Sequence, residues 1–291
     1  MPKQVISLTR GRRGAAWRYP RRDGVALRMV NPHRHDELEA NLITAGHATY
    51  LVKGKRIELQ PNSLLWLFPD QEHMLLDFSH DFVMWILVFS PDLVEEMGPR
   101  LPSFSLAGAD AIMTRVLPAK CARLLDEIGQ ELSGGFMPLQ SHDLGLAWWL
   151  TSAWNAYEHG EAEDAGPLHP AVARTVALLR DDHSLDLDSL SEQSGISPSQ
   201  LSRVFKRQAG LSITDFRNRL RLDAFIERWD GSHGRTILVN AKEAGFGSYA
   251  QFNRVFRRHM GCSPEAYHRL LRQNNRGGEA QRRNRIKASA Q

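Results

Sequence analysis

Four residues within the first 73 of the 291-residue chain have the types and spacing of a metal-binding set: His33, His35, Glu39 and His73. Imidazole nitrogens and one carboxylate oxygen are a common ligand set for zinc, iron, manganese or nickel. Because strand side chains repeat every two residues, His33, His35 and Glu39 are predicted to share one face of a strand. The set has three interpretations. It could hold a divalent metal, hydrogen-bond a polar effector such as a sugar, or consist of polar groups satisfied within the fold.

The surrounding residues, from about 25 to 90, have the pattern of β-structure. Short apolar runs alternate with turn residues, which is typical of a sandwich or barrel. The runs are Leu38–Ile43, Ala48–Val52, Ser63–Phe68 and Phe82–Phe89. Trp66 and Trp85 lie within them, where an indole ring either packs in the core or offers its face to a sugar. Both are included in the hypothetical effector site, together with the four residues above.

This segment resembles the cupin family. The first cupin motif is matched by His33, His35, Glu39 and Gly46. In the second motif, Pro69 and His73 take the places of the proline and the metal-binding histidine. The match departs from that motif at Ser63, which replaces a glycine, at Asp77, which replaces an asparagine, and in a proline-to-histidine interval one residue short. The resemblance implies a cupin-like barrel that senses a small molecule, and it leaves metal binding open.

Two helices are predicted after the barrel, at residues 117–132 and 142–158. Both have one apolar stripe, and Trp148 lies outside the stripe of the second helix. A Trp-rich helical pair with one exposed tryptophan is typical of a dimer interface. Packing of the pair against the barrel is the alternative.

The C-terminal part of the chain contains one segment twice. Ser194–Phe216 recurs, with one residue inserted, as Ala244–Tyr267. Gly210 corresponds to Gly261, 51 residues later. Such a repeat indicates one structural unit used twice.

Each copy has the pattern of a helix-turn-helix. In the first copy a helix ends at Gly195, and Ser197 caps a second helix that begins with Pro198. The outer face of that second helix carries polar and basic groups, which suit base edges and phosphates. In the first copy these residues are Ser199, Gln200, Ser202, Arg203, Lys206 and Arg207, and in the second they are Tyr249, Ala250, Asn253, Arg254, Arg257 and Arg258. Both helices are therefore predicted to bind double-stranded DNA, rather than to form a bundle with a merely solvated basic face.

Residues of about 168–272 resemble the AraC/XylS family of transcription regulators. The resemblance is carried by Gly195–Phe205, Ala244–Phe246, Gln251–Phe256, Gly261, Ser263-Pro264 and Tyr267. It implies a seven-helix domain with two helix-turn-helix motifs, after an N-terminal domain that senses a small molecule. It places Ser199, Ser202 and Arg203, and in the second motif Tyr249, Ala250, Asn253 and Arg254, at base-facing positions. The polar residues Ser232-His233-Gly234 depart from the family pattern and leave the helix boundary there open.

Charge is segregated along the chain. Residues 1–34 hold nine Lys and Arg against one acidic residue, residues 35–167 hold seven against twenty, and residues 168–291 hold twenty-one against twelve. A polyanionic partner fits the C-terminal part, whereas the middle would repel DNA. Residues 159–169 are predicted to be a linker, and the basic residues 1–22 and 273–291 to be disordered arms. An additional arm that contacts DNA phosphates is the alternative for residues 1–22.

The remaining features favour a cytoplasmic protein. Two cysteines are too few for a disulfide framework, and no apolar signal segment follows the Arg-rich N-terminus. The longest apolar run, Phe82–Phe89, is too short to span a bilayer. No contact with a membrane is therefore expected.

These features together predict an α+β multidomain protein. It consists of a cupin-like barrel (23–104), a helical dimerisation segment (105–158) and an all-α DNA-binding domain (170–272). The predicted function is that of a homodimeric transcription regulator controlled by a small-molecule effector or a divalent metal. The alternative is a metal-dependent cupin enzyme, an oxygenase or isomerase, fused to a DNA-binding domain. No general acid or base is recognisable beyond the four candidate ligands, so no enzymatic activity is predicted. A DNA-binding architectural protein is disfavoured, because half of the chain would then be an acidic barrel without a role.

Overall fold

The computed structural model describes residues 6, 8, 11–19, 33–101, 112–134, 137–162, 165–229 and 236–269. The chain divides into two compact units. Within the described ranges, the first unit contains all the strands together with residues 186–213, and the second contains residues 178–185 and 214–269.

The first unit contains ten strands within the described residues. Their bounds are β1 (Gly14–Tyr19), β2 (Leu38–Ala45), β3 (Ala48–Val52), β4 (Lys55–Leu59), β5 (Ser63–Leu67), β6 (His73–Phe78), β7 (Val83–Phe89), β8 (Met113–Val116), β9 (Glu161–Ala162) and β10 (Ala165–Pro167). A six-stranded sheet has the order β1-β7-β2-β5-β8-β9, and a four-stranded sheet has the order β10-β4-β3-β6. All of these strand pairs are antiparallel. The predicted barrel-like β-domain is confirmed.

Strand β1 corrects the prediction of a disordered N-terminal arm. Gly14–Tyr19 pairs with β7 from Gly14↔Phe89 to Tyr19↔Met84. Trp17 and Tyr19 lie two residues apart and pack against the apolar core between the sheets. The many arginines in this segment obscured the short apolar alternation of Trp17 and Tyr19. Pairing with the edge of β7 stabilises the strand.

The predicted linker at 159–169 also contains strands. Glu161–Ala162 pairs with β8, and Ala165–Pro167 pairs with β4. Backbone N–H and C=O groups form these strand pairings, so the sequence contained no apolar pattern from which the two strands could be predicted.

Two apolar layers hold the β-domain together. One lies between the sheets and includes Tyr50, Leu75, Met84 and Val88. The other lies between the six-stranded sheet and two helices, α2 (Ala119–Ser133) and α3 (Leu139–Glu158), which follow α1 (Pro91–Met97). These helices confirm the prediction at 117–132 and 142–158, and both begin one residue after a proline.

The remaining helices build the repeated motifs. They are α4 (Pro170–Asp181), α5 (Leu187–Ser194), α6 (Pro198–Ala209), α7 (Ile213–Arg228), α8 (Ile237–Glu243) and α9 (Tyr249–Met260), and residues 264–269 are also helical. Seven helical segments in the described part agree with the expected seven-helix domain. Residues 230–235, where the helix boundary was left open, lie outside the described residues. Among the helices that the structure describes, none is long and apolar enough to cross a membrane.

Candidate metal centre and nucleic-acid interface

The three predicted histidines meet at one end of the barrel. One ring nitrogen from each of His33, His35 and His73 lies within 4.8 Å of the others. His33 and His73 form an isolated antiparallel bridge, with N–H···O distances of 3.1 and 3.0 Å, and their ring centroids are 4.2 Å apart. The predicted strand across 33–39 is wrong, because β2 begins only at Leu38. The backbone bridge to β6, rather than side-chain alternation along one strand, brings the rings together.

His73 presents a ring nitrogen that has no hydrogen-bond partner among the residues that the structure describes. Its Nδ1 lies 2.9 Å from the backbone carbonyl oxygen of Gln71, which can only accept, so Nδ1 carries the proton. Its Nε2 therefore presents a lone pair, and that atom is buried without a hydrogen bond. An unsatisfied buried nitrogen is costly unless a cation or another donor satisfies it. A lone pair of this kind is what a metal ligand requires.

His35 and Glu39 form the second half of the site. His35 Nδ1 lies 3.0 Å from the Glu37 carbonyl oxygen, and His35 Nε2 lies 3.1 Å from Glu39 Oε2. Both partners are acceptors, so either both ring nitrogens are protonated or a cation takes the place of the Nε2 proton. The other carboxylate oxygen, Glu39 Oε1, accepts a 2.8 Å hydrogen bond from Asn41 Nδ2.

The charges of this cluster are strongly coupled. Burial lowers the pKa of His73 to about 3, although the negative charge of Glu39 opposes the shift. Burial would raise the pKa of Glu39, but the hydrogen bond from His35 and the neighbouring histidines lower it to about 2. Burial would lower the pKa of His35, but Glu39 outweighs it and the pKa is raised. A buried carboxylate beside imidazoles favours bound cations, so the three histidines, with Glu39 next to His35, fit a divalent metal.

The structure does not bring Trp66 and Trp85 to the histidines. Along β2, Glu39 and Asn41 face the space between the sheets, whereas Leu38 and Ala40 face the helices. Trp66 and Trp85 belong to that helical layer. Trp66 packs edge-on against Trp149, with ring centroids 6.3 Å apart, and Trp85 donates a hydrogen bond to Asp126 of α2. The two indoles are therefore core residues of the layer between sheet and helices.

Two supporting groups were not predicted from the sequence, Asn41 and the carbonyl of Gln71. Asn41 is fully buried and links Glu39 to the hydroxyl of Tyr50, with Nδ2–OH at 3.4 Å. Its position two residues after Glu39 in a strand was a usable signal. The carbonyl of Gln71 carries no side-chain signature and was not predictable.

In the first motif, α6 presents the predicted face to solvent. Ser199, Gln200, Arg203, Lys206 and Arg207 are exposed, and Ser202 is half-buried. Ser197 and Gln200 form a reciprocal capping box at the start of the helix. The apolar side chains Leu201 and Phe205 are buried on the opposite face. The helix thus has the predicted amphipathic arrangement.

In the second motif, four of the predicted DNA-facing side chains have partners within the protein, namely Tyr249, Asn253, Arg257 and Arg258. Tyr249 donates from its hydroxyl to Glu265, and Asn253 Oδ1 accepts from Arg257 Nε at 3.2 Å. Arg258 pairs with Asp215 at 3.2 Å. Ala250, Arg254, Arg257 and Arg258 remain exposed on α9. Arg254 is therefore the strongest candidate for a base contact in this motif.

Comparisons with known proteins agree with the two parts of the chain. Residues 18–98 match the model of an AraC-like ligand binding domain, and residues 190–270 match a helix-turn-helix domain. Together the matched segments exceed half of the 291 residues.

Individual relatives match a shorter part. The arabinose operon regulatory protein of Escherichia coli is 28% identical over 86 residues, which are 30% of this chain and 29% of the relative. RipA of Corynebacterium glutamicum, a transcriptional regulator by name, is 30% identical over 101 residues, or 34% of this chain and 30% of the relative. The chain thus spans about a third of the length of these relatives. The multiple antibiotic resistance protein MarA of Escherichia coli is 29% identical over 96 residues, 33% of this chain and 72% of MarA.

Among solved structures, ToxT of Vibrio cholerae aligns over 89% of this chain and 97% of its own, with 15% identity and a TM-score of 0.37. The family assignment rests on the two sequence models and on the repeated motifs described above. With an AraC-like ligand binding domain at 18–98 and a helix-turn-helix domain at 190–270, the chain belongs to the AraC family of transcription regulators.

Proposed function

We propose that this chain is a DNA-binding transcription regulator whose barrel responds to a divalent metal. The observation that carries the metal is the convergence of three imidazoles, with ligand atoms within 4.8 Å of one another, beside the buried carboxylate of Glu39. When bound, the metal would supply positive charge that satisfies His73 Nε2 and Glu39 together. His33, His35, Glu39 and His73 would hold it.

Packing inside the barrel favours an ion over a sugar-sized effector. Tyr50, Leu65, Leu75 and Met84 line the space between the sheets, and none has accessible surface. A side chain without accessible surface borders no space that a water molecule could enter. His33 is only half-buried, so an ion has a route from solvent to the cluster. An organic effector at the four residues would require the barrel to open.

The metal can be tested on the full chain by elemental mass spectrometry after purification and after reloading with Zn²⁺. We expect about one ion per chain, and its loss in His73→Ala and His35→Ala. His80→Ala removes an exposed imidazole from the turn after the opposite end of β6 and should keep the ion. A parent chain that binds no metal after reloading would contradict the proposal.

DNA reading is supported by two basic, capped helices in repeated motifs. Selection of preferred duplexes from a random pool should return a sequence that the chain binds well above the pool average. Removal of the metal by a chelator should change the affinity for that sequence. The arabinose operon regulatory protein and RipA are regulators by name, so the enzyme alternative gains no support from these comparisons.

Dimerisation through α2 and α3 is part of the proposal. Leu144 and Trp148 lie four residues apart on one face of α3, with 73% and 55% of their surface exposed. Leu124 of α2 is also exposed, at 41%. Apolar side chains of this size on one surface are typical of an interface between protein chains. A second copy of the same face is the partner we propose.

A further inference from the structure

The outer face of the four-stranded sheet contacts the C-terminal end of α6. Along β4, Ile57 and Leu59 face the core between the sheets, so Arg56 and Glu58 point outwards. Arg56 donates from Nε to the backbone carbonyl of Gln208, in the last turn of α6, and its guanidinium also pairs with Glu58. Because the last carbonyls of a helix have no partner within it, a cation placed there satisfies one of them.

A second contact lies beside the first, at the glycine that ends α6. The register of β3 and β6 shifts between Thr49↔Asp77 and Tyr50↔Leu75, which inserts Leu76 as a bulge. The bulge turns Asp77 to the outer face, whereas Leu75 faces the core. Gly210 has a φ of +79°, and a Cβ placed there would lie 2.7 Å from Asp77 Oδ2. Any other residue would be strained by this backbone conformation and would have to displace the Asp77 side chain.

These contacts hold α6 at its C-terminal end, whereas its predicted base-facing residues lie nearer to its start. Ser199, Gln200 and Arg203 are exposed at the opposite, N-terminal end. The contacts are also polar and partly exposed to solvent. The Glu58 side chain is 66% exposed, and Glu58 and Asp77 both line a surface pocket of ≈ 480 Å³. Solvent weakens such pairs, so this docking can open without loss of the core.

The docked arrangement holds a strongly acidic domain beside the first recognition helix. Residues 35–167 carry thirteen more acidic than basic side chains. DNA approaching α6 would meet that field within a Debye length of the sheet surface. Docking should therefore lower the affinity for any duplex, independently of its sequence.

We propose that the outer face of the four-stranded sheet is an intramolecular docking surface for α6, and that docking through Arg56 and Asp77 inhibits DNA binding. The inference rests on the proposed DNA-binding function. It adds a physical route by which the sensor acts on the reader: β6 carries His73 at one end and the docking residue Asp77 near the other.

Hydrogen–deuterium exchange of the full chain tests the docking without DNA. Arg56→Ala and Asp77→Ala should each speed exchange several-fold in the amides of 206–213. Lys55→Ala removes the same charge as Arg56→Ala from the same strand, and Glu95→Ala removes an exposed carboxylate from α1. Both controls should leave exchange in 206–213 unchanged. Equal exchange in all five chains would overturn the docking surface.

DNA binding tests the inhibition, with a random-sequence duplex in about 50 mM salt as the probe. Arg56→Ala should bind about threefold to tenfold more tightly than Lys55→Ala, and Asp77→Ala more tightly than Glu95→Ala by a similar factor. The two docking variants change net charge in opposite directions, so an equal gain in affinity cannot come from charge alone. Tighter binding by Asp77→Ala with weaker binding by Arg56→Ala would reduce the effect to net charge and overturn the inhibition. If no chain binds duplex DNA, the proposed function fails, whereas the exchange experiment still decides whether α6 is docked.

Discussion

At the histidine cluster, hydrogen bonds to backbone carbonyls determine that Nδ1 carries a proton in both His35 and His73. Gln71 fixes the Nδ1 proton of His73, and Glu37 fixes that of His35. His35 Nε2 therefore turns towards the carboxylate of Glu39, and His73 Nε2 turns into a buried position without a partner in the described part of the chain. This arrangement supports the proposed metal-ligand set, because histidines that only fill space need no such orientation.

At the same scale, Arg254 is predicted to read a base. Arg254→Ala should weaken binding to the preferred duplex by about 1–3 kcal/mol and relax the preference at one position. Arg258→Ala is the matched control, because Arg258 lies on the same helix but pairs with Asp215. Binding to a panel of single-base variants gives the measurement. An equal loss on every sequence would show that Arg254 contacts phosphate.

His259 makes the second unit sensitive to acid. Burial, together with Arg219 and Arg258, lowers the pKa of His259 to about 4, although Asp215 opposes the shift. In the unfolded chain the pKa is about 6.5. Between these values the unfolded state binds a proton that the folded state does not, so the free energy of unfolding falls as the pH falls, by up to about 3 kcal/mol.

Urea unfolding of the full chain at pH 7 and pH 5 measures this effect. In His259→Gln the loss between the two pH values should be smaller than in the parent. The same loss in both chains would assign the acid sensitivity to other groups.

At the scale of elements, the two motifs repeat in backbone conformation as well as in sequence. The glycines that end the paired helices, Gly210 and Gly261, have φ values of +79° and +69°. The turn glycines Gly195 and Gly245 have +72° and +89°. Left-handed residues at helix ends favour glycine because a Cβ meets the neighbouring carbonyl oxygen. Gly210 and Gly261 therefore determine where each recognition helix ends. Gly195 and Gly245 determine the turn that precedes it.

Alanine substitutions at these helix ends should distinguish the cost of backbone strain from the cost of a steric clash with a neighbouring side chain. Gly261→Ala should lower the free energy of unfolding by about 1–2 kcal/mol through backbone strain alone, because no described heavy atom beyond its chain neighbours lies within 4 Å of its Cβ position. Gly210→Ala should cost more, because its Cβ would also meet Asp77. Gly134→Ala is the control, since Gly134 ends α2 with a φ of −68°. Urea unfolding reports all three, and an equal effect of the Gly134 and Gly261 variants would contradict the strain argument.

At the scale of the whole molecule, the exposed face of α3 is predicted to decide the oligomeric state. Trp148→Glu places a charge at the centre of the proposed interface and should convert a dimer into a monomer. Leu238→Glu makes the same kind of change at an exposed residue of α8 and should leave the mass unchanged. Light scattering after size-exclusion chromatography measures both. A Trp148→Glu chain that still forms a dimer would show that the interface does not include this face of α3.

The sequence by itself determined those features that depend on neighbouring residues. The helix ends at Gly195 and Gly210, the cap at Ser197 and the amphipathic faces of α6 and α9 are local, because the groups that stabilise them lie within a few residues. The proposed metal-ligand set was also recognisable, since His33, His35, Glu39 and His73 carry distinctive chemistry. The division of charge between the barrel and the reader required only composition.

Tertiary structure alone decided which distant groups meet. The pairing of β1 with β7, and of β9 and β10 with the sheets, depends on backbone groups that every residue has, so side-chain patterns could not announce it. The face on which Trp66 lies depends on the register of β5 against its neighbours, and a shift by one residue would reverse it. The contacts of Arg56 with Gln208 and of Asp77 with Gly210 join residues more than 130 positions apart. The orientation of Asp77 depends in addition on a single β-bulge.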